Sequence, residues 1–218
     1  MSAYGSIGAP KPIAPLEATV YPVKTGSISL HPISAAEAPE DLVSYLHGVF
    51  NQELEEGRTY PQEGPLDRDG FAAYWFVTAS TTVIGVLHGE QLATAPKSLD
   101  EARGGRTWEE CVGGVFYIKP NYPGRASHNC NGGFLIPPAQ RGHGASHALA
   151  KGFTEYAPKL GYRQSVFNLV FANNFALKVW ETNGFQRVGT IPGAGRLRTG
   201  PNGTDEYVDA HILWKSFV

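Results

Sequence analysis

The stretch RGHGAS, residues 141–146, sets an arginine before two glycines and two small residues at the start of a small-residue helical pattern. A strand followed by a glycine turn and a helix N-terminus suits an anion, because free amides converge there at the positive end of the helix dipole. Gly142 and Gly144 permit the backbone shapes that gather those amides into a nest. Ala145 and Ser146 leave room for a diphosphate. Arg141 is placed to meet phosphate, whereas Arg125 reads as surface. The pattern lacks the Gly-Lys-Ser/Thr of a P-loop and the third glycine of a dinucleotide fingerprint. Taken alone, the loop is equally a plain glycine-containing connection.

Three asparagines and a glycine pair stand out beside it. Asn131 lies in the strand-like NCNGGFLI, where alternation puts it on one face with Gly133 and Leu135. Glycines inside a strand mark a bend, a bulge or a close approach, so Gly132-Gly133 predicts room for a ligand over this strand. Asn168 interrupts the apolar run SVFNLVF and, if buried, needs partners; it either pins neighbouring backbone or touches a ligand. Asn173 opens a helical pattern, where its amide either caps the helix or donates outward. His128 is the nearest titratable group to Asn131 in sequence, a base or water relay if functional, although a lone histidine is more often structural.

These residues need a scaffold. The 218-residue chain is 42% hydrophobic and 17% charged, with net charge −2, and so can build a substantial core without an electrostatic footprint for nucleic acid or an anionic membrane. No run of eighteen apolar residues occurs, so no membrane span is expected. The N-terminus lacks the pattern of a secretory signal, and two cysteines make a poor disulfide framework, which points to buried thiols in a reduced, cytoplasmic setting with a mitochondrial share left open. Residues 1–25 read as a flexible segment and 26–218 as one domain. Strands are expected at 27–33, 77–89, over EECVGGVFYIKPNY, over SHNCNGGFLI, over YRQSVFNLVF and over two final segments. Helices are expected over the amphipathic 39–57, a shorter FAAYWF, GASHALAKGFTEYA and NNFALKVWETNG. The segment 91–107 reads as a structureless excursion. The sum is an α+β domain with a mixed, mostly antiparallel sheet of about seven or eight strands and helices on both faces.

A second motif lies about thirty residues after RGHGAS. Asn173, Ala176, Trp180, Gly184 and Phe185 follow the spacing of an Asn, an Ala three later, an aromatic four beyond and then Gly-Phe. The two motifs together, in this element order, resemble the GCN5-related N-acetyltransferase superfamily from about residue 27 onward. The stretches RTYPQ, FYIKPNY, SHNCNGGFL, SVFNLVFANN and PGAGRL are similar, within it, to the fungal acetyltransferases that act on azetidine-2-carboxylate and other small cyclic imino acids. The resemblance implies acetyl-CoA as cosubstrate and no metal. Its pyrophosphate would lie on the backbone of Gly142, His143, Gly144 and Ala145 near Arg141, and its pantetheine arm along Phe134 and Ile136. It also implies that Asn131 and the backbone of Asn168 and Leu169 hold the cyclic amino-acid acceptor. Asn173 would stand near the thioester sulfur as the catalytic residue. A homodimer is expected by the same analogy. From the residues themselves, Tyr60 and Tyr117 read either as walls of an apolar ring pocket or as core aromatics.

A ring secondary ammonium is about as basic as lysine, so freeing its lone pair near pH 7 costs roughly 4 to 5 kcal/mol. A base must take that proton, or the enzyme must select the neutral fraction. Many superfamily members place a tyrosine at the aromatic position of the second motif to protonate the thiolate; Trp180 has no hydroxyl, which leaves Asn173 as the group to stabilise sulfur. Acetylation of another small amine or a peptide N-terminus, and non-catalytic sensing of an acyl-CoA, are the alternative functions.

Overall fold

The computed structural model describes residues 7–78 and 80–218. Its strands are β1 (Thr19–Val23), β2 (Gly26–Ile33), β3 (Thr81–His88), β4 (Val112–Pro120), β5 (Asn129–Leu135), β6 (Gln164–Phe171), β7 (Gln186–Leu197) and β8 (Glu206–Ser216). They form one sheet in the order β1-β2-β3-β4-β5-β6-β8-β7. Every neighbouring pair is antiparallel except β5 and β6, which run parallel.

The helices are α1 (Glu40–Glu56), α2 (Arg68–Ala72), α3 (Leu99–Arg103), α4 (Trp108–Cys111), α5 (Ala145–Lys159) and α6 (Ala176–Thr182). Helix α1 buries Leu42, Leu46, Phe50 and Leu54 and ends at Gly57 in the left-handed region. With Phe71 and Trp75 it covers the sheet face that presents Ile84, Val115, Tyr117 and Leu135. Helix α5 covers the opposite face, packing Leu149, Phe153 and Tyr156 against Leu30, Phe116 and Cys130. Helices therefore lie on both faces, and the expected mixed α+β sheet is present with eight strands.

Two expectations are corrected. Residues 19–23, placed within the flexible segment, form edge strand β1 and pair with β2, while the Ile13 amide donates to the Lys159 carbonyl at 2.8 Å. Residues 1–6 of that segment lie outside the described residues. The excursion at 91–107 is also not structureless. Ser98 caps α3, and Thr107 and Glu110 close a capping box on α4, so polar residues read as loop signals are helix starts.

Candidate active site

Strands β5 and β6 pair only at Asn129 with Gln164 and Cys130 with Ser165, then part. The backbone of β5 shows what faces the opening. The Gly132 amide donates to Asn131 Oδ1 at 2.8 Å, and the Phe134 carbonyl accepts from the Tyr60 hydroxyl at 2.7 Å. Alternate residues of a strand aim their backbone groups to the same side, so the amides of Phe134 and Ile136 face the gap while Asn131, Gly133 and Leu135 pair with β4. On β6, the register with β8 shifts between Phe167 and Val170, so Asn168 and the exposed Leu169 lie at an irregularity of that ladder.

At one end of the gap lies the loop into α5. Gly142 and Gly144 adopt φ of 88° and 91°, a region that strains any side chain, and no side chain caps α5. Among the described residues, no group accepts a hydrogen bond from the amides of Gly142, His143, Gly144 or Ala145. A row of unpaired amides at a helix start, continuous with a strand edge whose amides are also free, fits a phosphate-bearing chain with an amide-containing arm. Arg141 is placed differently from its expectation. Its guanidinium is ion-paired with Glu53 of α1, whose other oxygen accepts from the Thr59 hydroxyl at 3.0 Å, so the side chain holds the loop to α1 rather than reaching over the nest.

The room expected over the glycine pair is also filled. A Cβ on Gly133 would lie 2.5 Å from the Tyr117 ring, and one on Gly132 would lie 2.6 Å from Phe153. A close approach to these glycines is thus made by protein rings from the two faces.

The three asparagines are differently committed. Asn131 uses Oδ1 on Gly132 and keeps its amide nitrogen unbonded among the described residues. The Asn168 side chain is consumed internally: it donates to Asn121 Oδ1 at 2.8 Å and accepts from the Tyr122 hydroxyl at 2.8 Å, which leaves only its backbone for a ligand. Asn173 does not cap α6; ahead of that helix its neighbour Asn174 accepts from the Ala176 amide at 2.8 Å. The Asn173 Nδ2 instead donates to the Arg58 carbonyl at 3.0 Å. His128 meets Asn129 at 3.3 Å, where the two strands are still paired. Arg125 is exposed, as read.

Aromatic rings complete the walls. Trp180 is buried, with its ring centroid 4.6 Å from Phe134 and 4.7 Å from Phe167, and serves as core. Tyr117 and Tyr74 meet hydroxyl to hydroxyl at 3.0 Å. Burial raises the pKa values of Tyr60 and Tyr117 far above the usual phenol range, which keeps both as protonated donors. Burial also pushes the Cys130 thiol up to about 12, so it stays neutral. Among the described residues, no group of three or more His, Cys, Asp or Glu is arranged to hold a metal, and no helix is long and apolar enough to cross a membrane.

Residues absent from the sequence reading now join the site: Glu53, Tyr74, Lys119, Asn121 and Tyr122. Glu53 had a signal, an acid falling on the apolar stripe of α1 beside Phe50 and Leu54.

No family model matches the chain. The N-acetyltransferase aca1 of Schizosaccharomyces pombe is 42% identical over 179 residues, covering 82% of this chain and 81% of its own. A GCN5-related N-acetyltransferase from Kribbella flavida superposes with a TM-score of 0.65 at 25% identity, over 86% of this chain and 97% of that one. The chain belongs to the GCN5-related N-acetyltransferase superfamily. The fold of this acetyltransferase also matches that of yncA from Salmonella typhimurium, solved with acetyl-CoA, at a TM-score of 0.63 and 12% identity over 88% and 94% of the two chains. The parted β5–β6 pair and the loop into α5 are therefore features of an N-acetyltransferase.

Proposed function

We propose that this acetyltransferase moves the acetyl group of acetyl-CoA to the ring nitrogen of azetidine-2-carboxylate or a related cyclic imino acid, and so removes proline analogues in the cytoplasm. The observation that carries the reading is the gap itself: one bank offers the free amides of Phe134 and Ile136, the other the irregular backbone of Asn168 and Leu169, and Asn131 stands near its paired end. The unpaired amides of Gly142, His143, Gly144 and Ala145 would hold the pyrophosphate, and the β5 edge would pair with the pantetheine arm. Bound there, acetyl-CoA supplies an activated carbonyl and a thiolate leaving group.

The chain's own residues then divide the work. An asparagine amide has two hydrogens. Asn173 spends one on Arg58, which fixes the side chain and leaves the other free to donate to sulfur. Trp180, locked in the aromatic core, takes no part in that step. Asn131 keeps both amide hydrogens for the acceptor, and the Asn168–Leu169 backbone adds hydrogen bonds from across the gap. Tyr60 and Tyr117 wall the acceptor side as neutral phenols, the Tyr60 hydroxyl being committed to the Phe134 carbonyl.

The test is acetyl-CoA turnover followed with a thiol reagent against a panel of cyclic imino acids, linear amines and peptides. Acceptor-dependent release with the imino acids supports the reading; release only with peptides or linear amines replaces it.

A further inference from the structure

Lys119, the last residue but one of β4, lies directly opposite Asn131 on β5. Cross-strand partners share a sheet face, so its side chain lies on the side of Asn131, Tyr117 and Gly133, the side the acceptor is proposed to enter. Its Nζ stands 4.3 Å from the Tyr74 ring centroid and 4.5 Å from that of Tyr117. Among the described residues it has no carboxylate within ion-pair distance and no hydrogen-bond acceptor. Lys119 is thus a partly buried ammonium held by two aromatic faces and left without a counter-ion. Burial alone holds its pKa below the usual lysine range.

We infer that Lys119 binds the carboxylate of the acceptor, which makes a free acid group part of the substrate's definition. The inference rests on the cyclic imino acid reading. Two roles are open to a lysine here, a neutral base or a fixed cation, and the geometry favours the cation. The electron-rich faces of Tyr74 and Tyr117 stabilise the charged form and do nothing for the neutral amine. Desolvation without a partner makes such a charge hungry for an anion, and the bulge amides at Asn168 and Leu169 offer hydrogen bonds but no net charge. A positive charge near the acceptor also disfavours its ring ammonium, which eases loss of the proton that blocks attack.

The test compares wild type with Lys119→Met, which keeps the stem, and Lys119→Arg, which keeps the charge. Acceptors are azetidine-2-carboxylate, its methyl ester and azetidine itself, with acid binding followed by calorimetry in parallel. Lys119→Met should raise KM for the acid about 30-fold or more, as expected for loss of a charge-assisted contact, while the ester and azetidine change little. Lys119→Arg should recover part of the loss. An equal fall in kcat for all three acceptors would assign a base or a structural role and overturn the inference, as would no change. If wild type turns over no imino acid, the acceptor reading fails by itself. Calorimetry then decides for Lys119: acid binding lost in Lys119→Met supports it, and equal or absent binding in both overturns it.

Discussion

Asn173 and Arg58 are joined across the mouth of the gap, the side-chain amide of one donating to the carbonyl of the other at 3.0 Å. The bond ties the loop after β6 to the loop after α1, which Arg198 also holds through the Gly57 carbonyl at 2.9 Å. Because the Asn173 side chain is exposed, its removal should cost little stability, about 0.5–1 kcal/mol. Asn173→Ala should instead lower kcat about 10- to 100-fold with a small change in KM for acetyl-CoA, as expected for a bond made to the departing sulfur. Steady-state kinetics with both substrates varied measures this, and a pure KM effect would move Asn173 to a binding role.

Arg141 offers a sharper contrast. A phosphate-binding arginine, when deleted, weakens acetyl-CoA and leaves the melting temperature alone. An arginine that neutralises buried Glu53 does the opposite. Removing it strands a carboxylate that is 5% exposed, although the guanidinium's own half-exposure softens the cost. Arg141→Ala should therefore destabilise by about 1–3 kcal/mol, and Arg141→Ala combined with Glu53→Gln should regain much of the loss. Chemical denaturation of the two variants decides between the roles.

How far the sequence reached follows from what each signal depends on. The amphipathic α1, the strands of the second half and the loop into α5 were legible because period and glycine placement are local properties. Edge strand β1 was not, since TVYPV carries a proline and sits behind a Pro/Gly-rich start, and only pairing with β2 makes it a strand. The glycine pair announced a close approach, but which groups make it, Tyr117 of β4 and Phe153 of α5, depends on how the flanking elements fold onto β5 and not on the glycines' own neighbours in sequence. The same holds for Asn168, whose partners Asn121 and Tyr122 lie in a turn with no pattern of its own, and for Lys119, whose cage includes a tyrosine on the irregular turn after α2.

Gly133 tests the corrected role of that pair. Tyr117 is buried and bonded to Tyr74, so it cannot swing away to admit a methyl group 2.5 Å from its ring. Gly133→Ala should destabilise by about 1–3 kcal/mol and raise acceptor KM more than acetyl-CoA KM, because Tyr117 lies on the acceptor face. Gly132→Ala should press on Phe153 in the opposite core and show the stability loss without the selective acceptor effect. Thermal melts paired with kinetics separate the two; similar kinetic profiles would mean that the two faces are not functionally distinct.

Far from the gap, His31 sets an acid limit on the fold. It is buried on β2, its Nε2 2.8 Å from Ser29 Oγ, which lies 2.8 Å from His88 Nε2. Burial first and the neighbouring His88 second lower its pKa to about 4, against an opposing pull from Glu101. The folded state thus holds His31 neutral where the unfolded chain, with a pKa near 6.5, takes up a proton. Its contribution is complete above about pH 6.5 and is lost as the pH falls towards 4. His31 also borders an open cleft of about 630 Å³, and screening through that cleft reduces the effect. Between pH 7 and 5, wild type should lose about 1–2 kcal/mol more than a His31→Gln variant. Glutamine keeps a hydrogen-bonding amide near Ser29 but does not titrate. Parallel denaturation curves at the two pH values measure the difference, and equal losses would mean that the imidazole is already protonated, or solvated, in the folded protein.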